Sequence, residues 1–229
     1  ANIDIAGDST FALGLEIQSR GHHLWYYTPD SLSFDEGKIT ARGHPLQLFD
    51  NHNSFFKTGS IEARLLDDFD VILMRQDPPF DMAYVTATHI LERLPATTMV
   101  VNNPAAVRNA PEKLLVTHYP DLLPATLISR DRNSILTFRA KHKDIIVKPL
   151  FGNGGAGVFR VQPNDQNLNS LLEMFFVNSR EPVMVQAYIP AIREGDKRVI
   201  LVDGEPVGAV NRIPNDGEAR SNFHVGGTA

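Results

Sequence analysis

Six residues near the middle of the chain, Gly152-Asn153-Gly154-Gly155-Ala156-Gly157, restrict its fold more than any other feature. They separate Ile145-Ile146-Val147-Lys148-Pro149 from Val158-Phe159-Arg160-Val161, two apolar runs that read as strands. A glycine-rich turn between two strands predicts a β-hairpin over 145–161 whose backbone N–H groups can approach a bound anion closely. Gly152, Gly154 and Gly157 also satisfy the G-x-G-x-x-G spacing of dinucleotide-binding folds, but that motif needs a helix after the loop to hold the pyrophosphate. Here Val158 to Val161 is strand-like and Pro163 follows, so the dinucleotide reading fails. A P-loop fails too, because no Gly-Lys-Ser/Thr follows the glycines. What remains is a hairpin whose glycine tip can bring backbone N–H groups close to phosphate oxygens and would suit a lid, with Lys148 where it can neutralise one phosphate. Taken alone, the pattern is equally compatible with a surface lysine beside an ordinary turn.

Composition narrows the partners. A net charge of −5 with pI near 5.9 opposes non-specific attraction to nucleic acid or to an anionic membrane. The chain has no cysteine, which excludes thiol redox chemistry and thiolate metal sites and fits a reducing compartment. No run of eighteen apolar residues spans a bilayer, and the start shows no basic region before an apolar run. Small-molecule partners and a cytoplasmic location are therefore expected. The opening segment, Ala1 to Thr10, is loop-like and lacks an initiating Met, so a preceding strand is expected too.

At 229 residues the chain can hold one large domain or a few small ones. Ser9 can cap a helix carrying Phe11, Ala12, Leu15 and Ile17, with Gly21 ending it. His22 to Tyr27 reads as a strand, and 30–68 as short hairpins of unresolved layout. Val71 to Met74 and Met99 to Val101 read as buried strands flanking a helix with Ala83, Ala87, Ile90, Leu91 and Leu94, a βαβ unit. Polar residues after such parallel strands are where open α/β sheets bind ligands, which makes Arg75 a site candidate. A helix from Pro111, capped by Asn109, closes the first domain at 120. Beyond it the pattern predicts strands at 126–128, 145–148, 158–161, 183–186, 198–202 and 207–211. Helices are expected at 135–141 and over Leu168, Leu171, Leu172, Phe175 and Phe176, with a turn at Asp203-Gly204.

The later strands carry further candidates. Gln186-Ala187-Tyr188-Ile189 ends an apolar strand at Pro190 and can line a slot for a purine, although an ordinary core strand has the same pattern. Asp196 can accept ribose hydroxyls, and Arg198 points to the same mouth. Arg212, Arg220 and Asn222 follow on a hairpin and its exit loop, where arginines suit an anionic substrate or a transferring phosphoryl group. A solvated charge cluster remains the alternative. The histidines show no metal-ligand spacing.

Lys113 in Pro-Glu-Lys-Leu, Lys148 in Val-Lys-Pro-Leu, the glycine hairpin, Gln-Ala-Tyr-Ile-Pro, Gly-Asp-Lys-Arg and Asn-Arg-Ile-Pro occur in an order that resembles the ATP-grasp ligases. Within these it is similar to the prokaryotic glutathione synthetase family, including Val-Ile-Leu-Met-Arg-Gln-Asp-Pro-Pro-Phe-Asp at 71–81. The resemblance implies an α/β chain with an ATP-grasp fold after a Rossmann-like N-terminal domain. Its expected divisions are a substrate domain over 1–120, a lid domain over 121–190 and the start of a catalytic domain over 191–229.

It implies that Lys113, Lys148, Gly152, Asn153, Gly154, Gly155, Gly157, Gln186, Ala187, Tyr188, Ile189 and Asp196 bind ATP. Arg198 and Arg212 would be catalytic, and with Arg75, Arg220 and Asn222 would hold the substrate. The implied reaction joins γ-glutamylcysteine to glycine through an acyl phosphate, in a homo-oligomer, with Mg2+ or Mn2+ held by residues expected after Ala229. Two rival readings stay open: another carboxylate–amine ligase acting on a peptide or protein carboxylate, and an ATP-binding module without turnover.

Overall fold

The computed structural model describes residues 3–215, so Arg220 and Asn222 lie outside the described residues. Residues up to Ala110 form one compact unit and residues from Pro111 a second.

In the first unit, α1 (Ser9–Ser19) starts one residue earlier than Ser9 capping would give. Asp8 is the cap: its Oδ1 accepts the Phe11 N–H at 2.7 Å, and a carboxylate also suits the positive end of the helix. Gly21 follows the C-cap Arg20 with φ of 84°. The stretch 24–65 folds around one long strand. β1 (Leu24–Tyr27), β2 (Ser33–Asp35), β4 (Phe56–Thr58) and β5 (Glu62–Leu65) all pair antiparallel with β3 (Lys38–Leu48).

The βαβ unit then appears as expected, with β6 (Val71–Leu73), α2 (Met82–Leu91) and β7 (Met99–Val101), the two strands parallel. Their burial is one-sided, contrary to the reading of both as buried. Ile72, Met74 and Val100 pack with Leu66 and Leu91, while Val71 is 49% and Met99 61% exposed. Side chains alternate along a strand, and only one face of this sheet is covered. A short helix unforeseen in the sequence, α3 (Pro104–Asn109), is capped by Asn103, whose side chain accepts the Ala106 N–H at 3.0 Å. Asn109 is thus the last residue of α3 and caps nothing after it; Pro111 holds the cap position of α4 (Glu112–Leu115).

The one-turn helix α4 belongs to the second unit, ten residues ahead of the boundary expected at 120, because Lys113 is bonded to that unit's chain. There β8 (Thr126–Ser129), α5 (Arg132–His142), β9 (Ile145–Pro149), β10 (Phe159–Val161), α6 (Leu168–Asn178) and β11 (Val183–Ala187) follow. The four strands form an antiparallel sheet in the order β10-β9-β11-β8. Its helix-covered face carries Ile145, Val147, Val161, Val183 and Val185, which pack on Ile135 of α5 and on Leu168 and Leu172 of α6. Alternation then puts Thr126, Ile146, Lys148, Arg160 and Gln186 on the opposite face. A separate hairpin, β12 (Asp196–Val202) and β13 (Glu205–Arg212), turns at Asp203-Gly204, where both residues have positive φ.

Candidate active site

The glycine hairpin is present, with β10 paired to β9 through Phe159↔Val147 and Val161↔Ile145 and no helix after the turn. Gly154, Gly155 and Gly157 have φ of 62°, 82° and 69°. A side chain at Gly154 would be strained at that φ, which explains glycine there. Gly152 answers to a different constraint: a Cβ on it would lie 3.0 Å from Pro149 Cγ and 3.7 Å from the Lys113 ammonium. Lys113 Nζ donates to the carbonyl oxygens of Pro149 at 2.6 Å and Gly152 at 3.1 Å, pinning the entrance of the turn.

Lys148 stands near the end of β9 on the sheet face opposite the helices, half-buried beside its cross-strand partner Met184. Burial, and then repulsion from Lys148, hold the Lys113 pKa below its ordinary 10.5; Glu112 opposes this. Burial also lowers Lys148, again against Glu112. No salt bridge engages either ammonium among the described residues. Two cations partly stripped of water, with no carboxylate in salt-bridge contact, can hold a multiply charged anion.

β11 leads into the proposed base-reading segment. The Gln186 amide donates to Thr126 Oγ1 at 2.9 Å, so this side chain is tied to β8. The N–H groups of Ala187 and Tyr188 are already engaged, by the carbonyls of Ala125 and Asp144, both at 2.9 Å. Ile189 lies past the last strand pair, and among the described residues its N–H makes no hydrogen bond. It is the donor this segment leaves for a ligand. Two residues unassigned from the sequence adjoin it. Arg160 forms a two-point ion pair with Asp144, at 3.1 and 2.7 Å, and its Cζ lies 3.7 Å from the Tyr188 ring centroid.

On the second hairpin, Asp196 faces Arg212 across the strands, and Arg198 lies two residues on, on the same side. Arg212 grips Asp196 with two bonds of 2.7 and 2.6 Å. Asp196 is therefore not a free carboxylate, but each of its oxygens keeps a lone pair that can accept a ribose hydroxyl. Arg198 is exposed. In the first unit, Arg75 follows β6 and its Nε donates to Thr10 Oγ1 at 3.0 Å, leaving the rest of its fork open to an anion. A hollow of about 550 Å³ in this unit is lined by Gln76, Asp77 and Tyr84. Among the described residues, no group of three His, Asp or Glu side chains is placed to hold a metal ion, so no step can be assigned through one here. None of their helices is long and apolar enough to cross a membrane.

Comparison with known proteins agrees with this geometry. The family model for the prokaryotic glutathione synthetase N-terminal domain matches residues 1–108, and that for its ATP-grasp domain matches 112–229. The chain is 55% identical over 229 residues to a glutathione synthetase of Mesorhizobium japonicum, covering all of this chain and 73% of that protein. It is 44% identical to the Escherichia coli O127:H6 glutathione synthetase, over 99% of this chain and 72% of that one.

Solved ATP-grasp proteins share the fold at low identity. The ligase PsnB, solved with a phosphomimetic variant of its minimal precursor, Mg and ADP, has a TM-score of 0.57 at 16% identity, covering 95% of this chain and 71% of that one. D-alanyl-alanine synthetase A of Vibrio cholerae has a TM-score of 0.56 at 14% identity, covering 91% and 62%. With both domain models matched in order across nearly its whole length, and a glycine hairpin whose entrance Lys113 pins, the chain belongs to the prokaryotic glutathione synthetase family of the ATP-grasp ligases.

Proposed function

We infer that the chain joins γ-glutamylcysteine to glycine at the expense of ATP, giving glutathione, ADP and phosphate. The observation that carries the nucleotide part is the pair of half-buried ammoniums of Lys113 and Lys148, neither in a salt bridge, on the strand and helix that flank the glycine turn. A carboxylate resists attack by an amine until phosphorylation gives it a leaving group, so the enzyme must bring phosphate and carboxylate together away from water.

We propose that Lys113 and Lys148 hold the phosphates and that Gly152, Asn153, Gly154, Gly155 and Gly157 cover them. Gln186 to Ile189 would seat the adenine, with the Ile189 N–H as the hydrogen-bond donor, and Asp196 would bind the ribose. Arg198, exposed on its strand, is the guanidinium available to stabilise charge on the transferring phosphoryl group and on the tetrahedral adduct; Arg212 orients Asp196 and backs it. Arg75 would bind a carboxylate of the peptide substrate. The proposed divisions are the lid over 121–190 and the start of the catalytic domain over 191–229. Mg2+, when bound with the nucleotide, supplies charge neutralisation on the phosphates. A cytoplasmic location and a homo-oligomeric state are part of the same proposal, the latter open to light scattering.

The test is ADP release by the intact enzyme with γ-glutamylcysteine and glycine. Equal amounts of ADP and glutathione are expected. Turnover with other dipeptides but none with this pair would assign a different carboxylate, and ATP binding without ADP release would make the chain a non-catalytic module.

A further inference from the structure

Arg160, Asp144 and Tyr188 are joined in a closed circuit. The Arg160 guanidinium meets both carboxylate oxygens of Asp144, at 3.1 Å from Nε and 2.7 Å from Nη2, and stacks 3.7 Å from the centre of the Tyr188 ring. The Asp144 carbonyl in turn accepts the Tyr188 N–H at 2.9 Å. Tyr188 is thus held by its backbone and by its ring, through one neighbouring residue. The next residue is Ile189, with the open N–H, and the next again is Pro190, which starts a short 3-10 helix. Fixing Tyr188 therefore fixes the direction of the Ile189 donor. Arg160 is also on β10, the strand that leaves the glycine turn, and pairs with Ile146 on the sheet face that carries Lys148.

We propose that Arg160 is a positioning residue for the nucleotide, acting through Tyr188 to hold the base-reading segment and to tie it to the hairpin that covers the phosphates. This rests on the nucleotide reading of Lys148 and Ile189 given above. A purely structural ion pair predicts something else. The Arg160 and Asp144 side chains are only 26% and 27% exposed, so a purely structural pair would show its loss as lowered stability, with no change confined to ATP. The requirement for a planar cation follows from the geometry: a lysine could pair with Asp144 but could not both grip it at two points and lie flat on the ring.

The experiment is steady-state kinetics of the intact enzyme with each substrate varied in turn, comparing ATP with GTP. Arg160→Ala is expected to raise KM for ATP about tenfold, with a smaller change in kcat and in KM for the peptide and glycine, and to narrow the preference for ATP over GTP. Arg160→Lys should recover only part of the loss. Tyr188→Leu should match Arg160→Ala, whereas Tyr188→Phe, which keeps the ring face, should lie closer to the parent enzyme. If Arg160→Ala fails to fold, the Tyr188 pair makes the same comparison. Equal shifts in all three KM values, or a lowered melting temperature with an unchanged ATP/GTP ratio, would overturn the proposal. Lys148→Ala separates the two levels. If it raises KM for ATP while Arg160→Ala and Tyr188→Leu do not, the nucleotide seat stands and the positioning role falls. If it has no effect on ATP, the seat itself is wrong, and this inference falls with it.

Discussion

The ammonium of Lys148 is half-buried, and desolvation holds its pKa below the ordinary 10.5. A triphosphate beside it favours the protonated form and raises the pKa again. Between the free and bound values the complex holds more protons than the free enzyme, so binding takes up protons and affinity falls as pH rises through that window. Calorimetric titration with ATP from neutral pH toward 10.5 should show this weakening. Lys148→Arg, charged throughout, should reduce the pH dependence to the part that Lys113 contributes, and a profile unchanged by this variant would remove Lys148 from the phosphate seat. The turn can be probed just as locally. Gly154 has φ of 62°, and a β-branched residue there costs roughly 1–2 kcal/mol in strain. Gly154→Val should raise KM for ATP or lower kcat by about tenfold, and unchanged kinetics would show that the turn does not close on the nucleotide.

At the level of elements, α6 is the clearest case of sequence dictating structure. Leu168 and Leu172 recur on one face and are 1% and 0% exposed against the sheet. Leu172→Ala should destabilise the second unit by about 2–5 kcal/mol, read from urea unfolding, because the cavity it leaves is walled by sheet and helix on all sides. Asp8→Ala at the start of α1 removes a single cap bond and should cost about 1 kcal/mol. Elements of this kind are legible because their signals are local: a period, a glycine turn, a proline stop.

What could not be read depends on register. Nothing between Asp144 and Arg160 in the sequence says that they meet; the pairing of Arg160 with Ile146 brings them together. The same holds for the one-sided burial of β6 and β7, which run apolar on both faces while only one is covered. Asp8 and Ser9 are both good cap residues, and only the backbone geometry chooses between them. The order of motifs located Lys113 and Asp196, but that Arg212 would occupy the Asp196 carboxylate is a cross-strand fact.

On the scale of the molecule, the two units share no hydrophobic cluster: the first has one around Leu66 and Leu91 and another around Phe11 and Leu48, the second one around Ile145 and Leu172. Every residue proposed here to bind the nucleotide belongs to the second. ATP alone should therefore stabilise that unit selectively, by about 2.7 kcal/mol at a concentration one hundred times Kd. Amide hydrogen exchange resolves where this happens. The glycine turn, β9 and the segment 186–189 should slow, because their backbone groups are those that the ligand and the ordered hairpin engage. The Ile189 amide is the sharpest site, since its N–H makes no bond among the described residues before ligand binds. α1, which carries Thr10, and the segment after β6, which carries Arg75, should exchange unchanged with ATP and respond to γ-glutamylcysteine instead. Protection by ATP alone spread evenly over both units would contradict a nucleotide seat built from the second unit's residues. An unprotected Ile189 beside a protected glycine turn would keep the phosphate seat and move the base elsewhere.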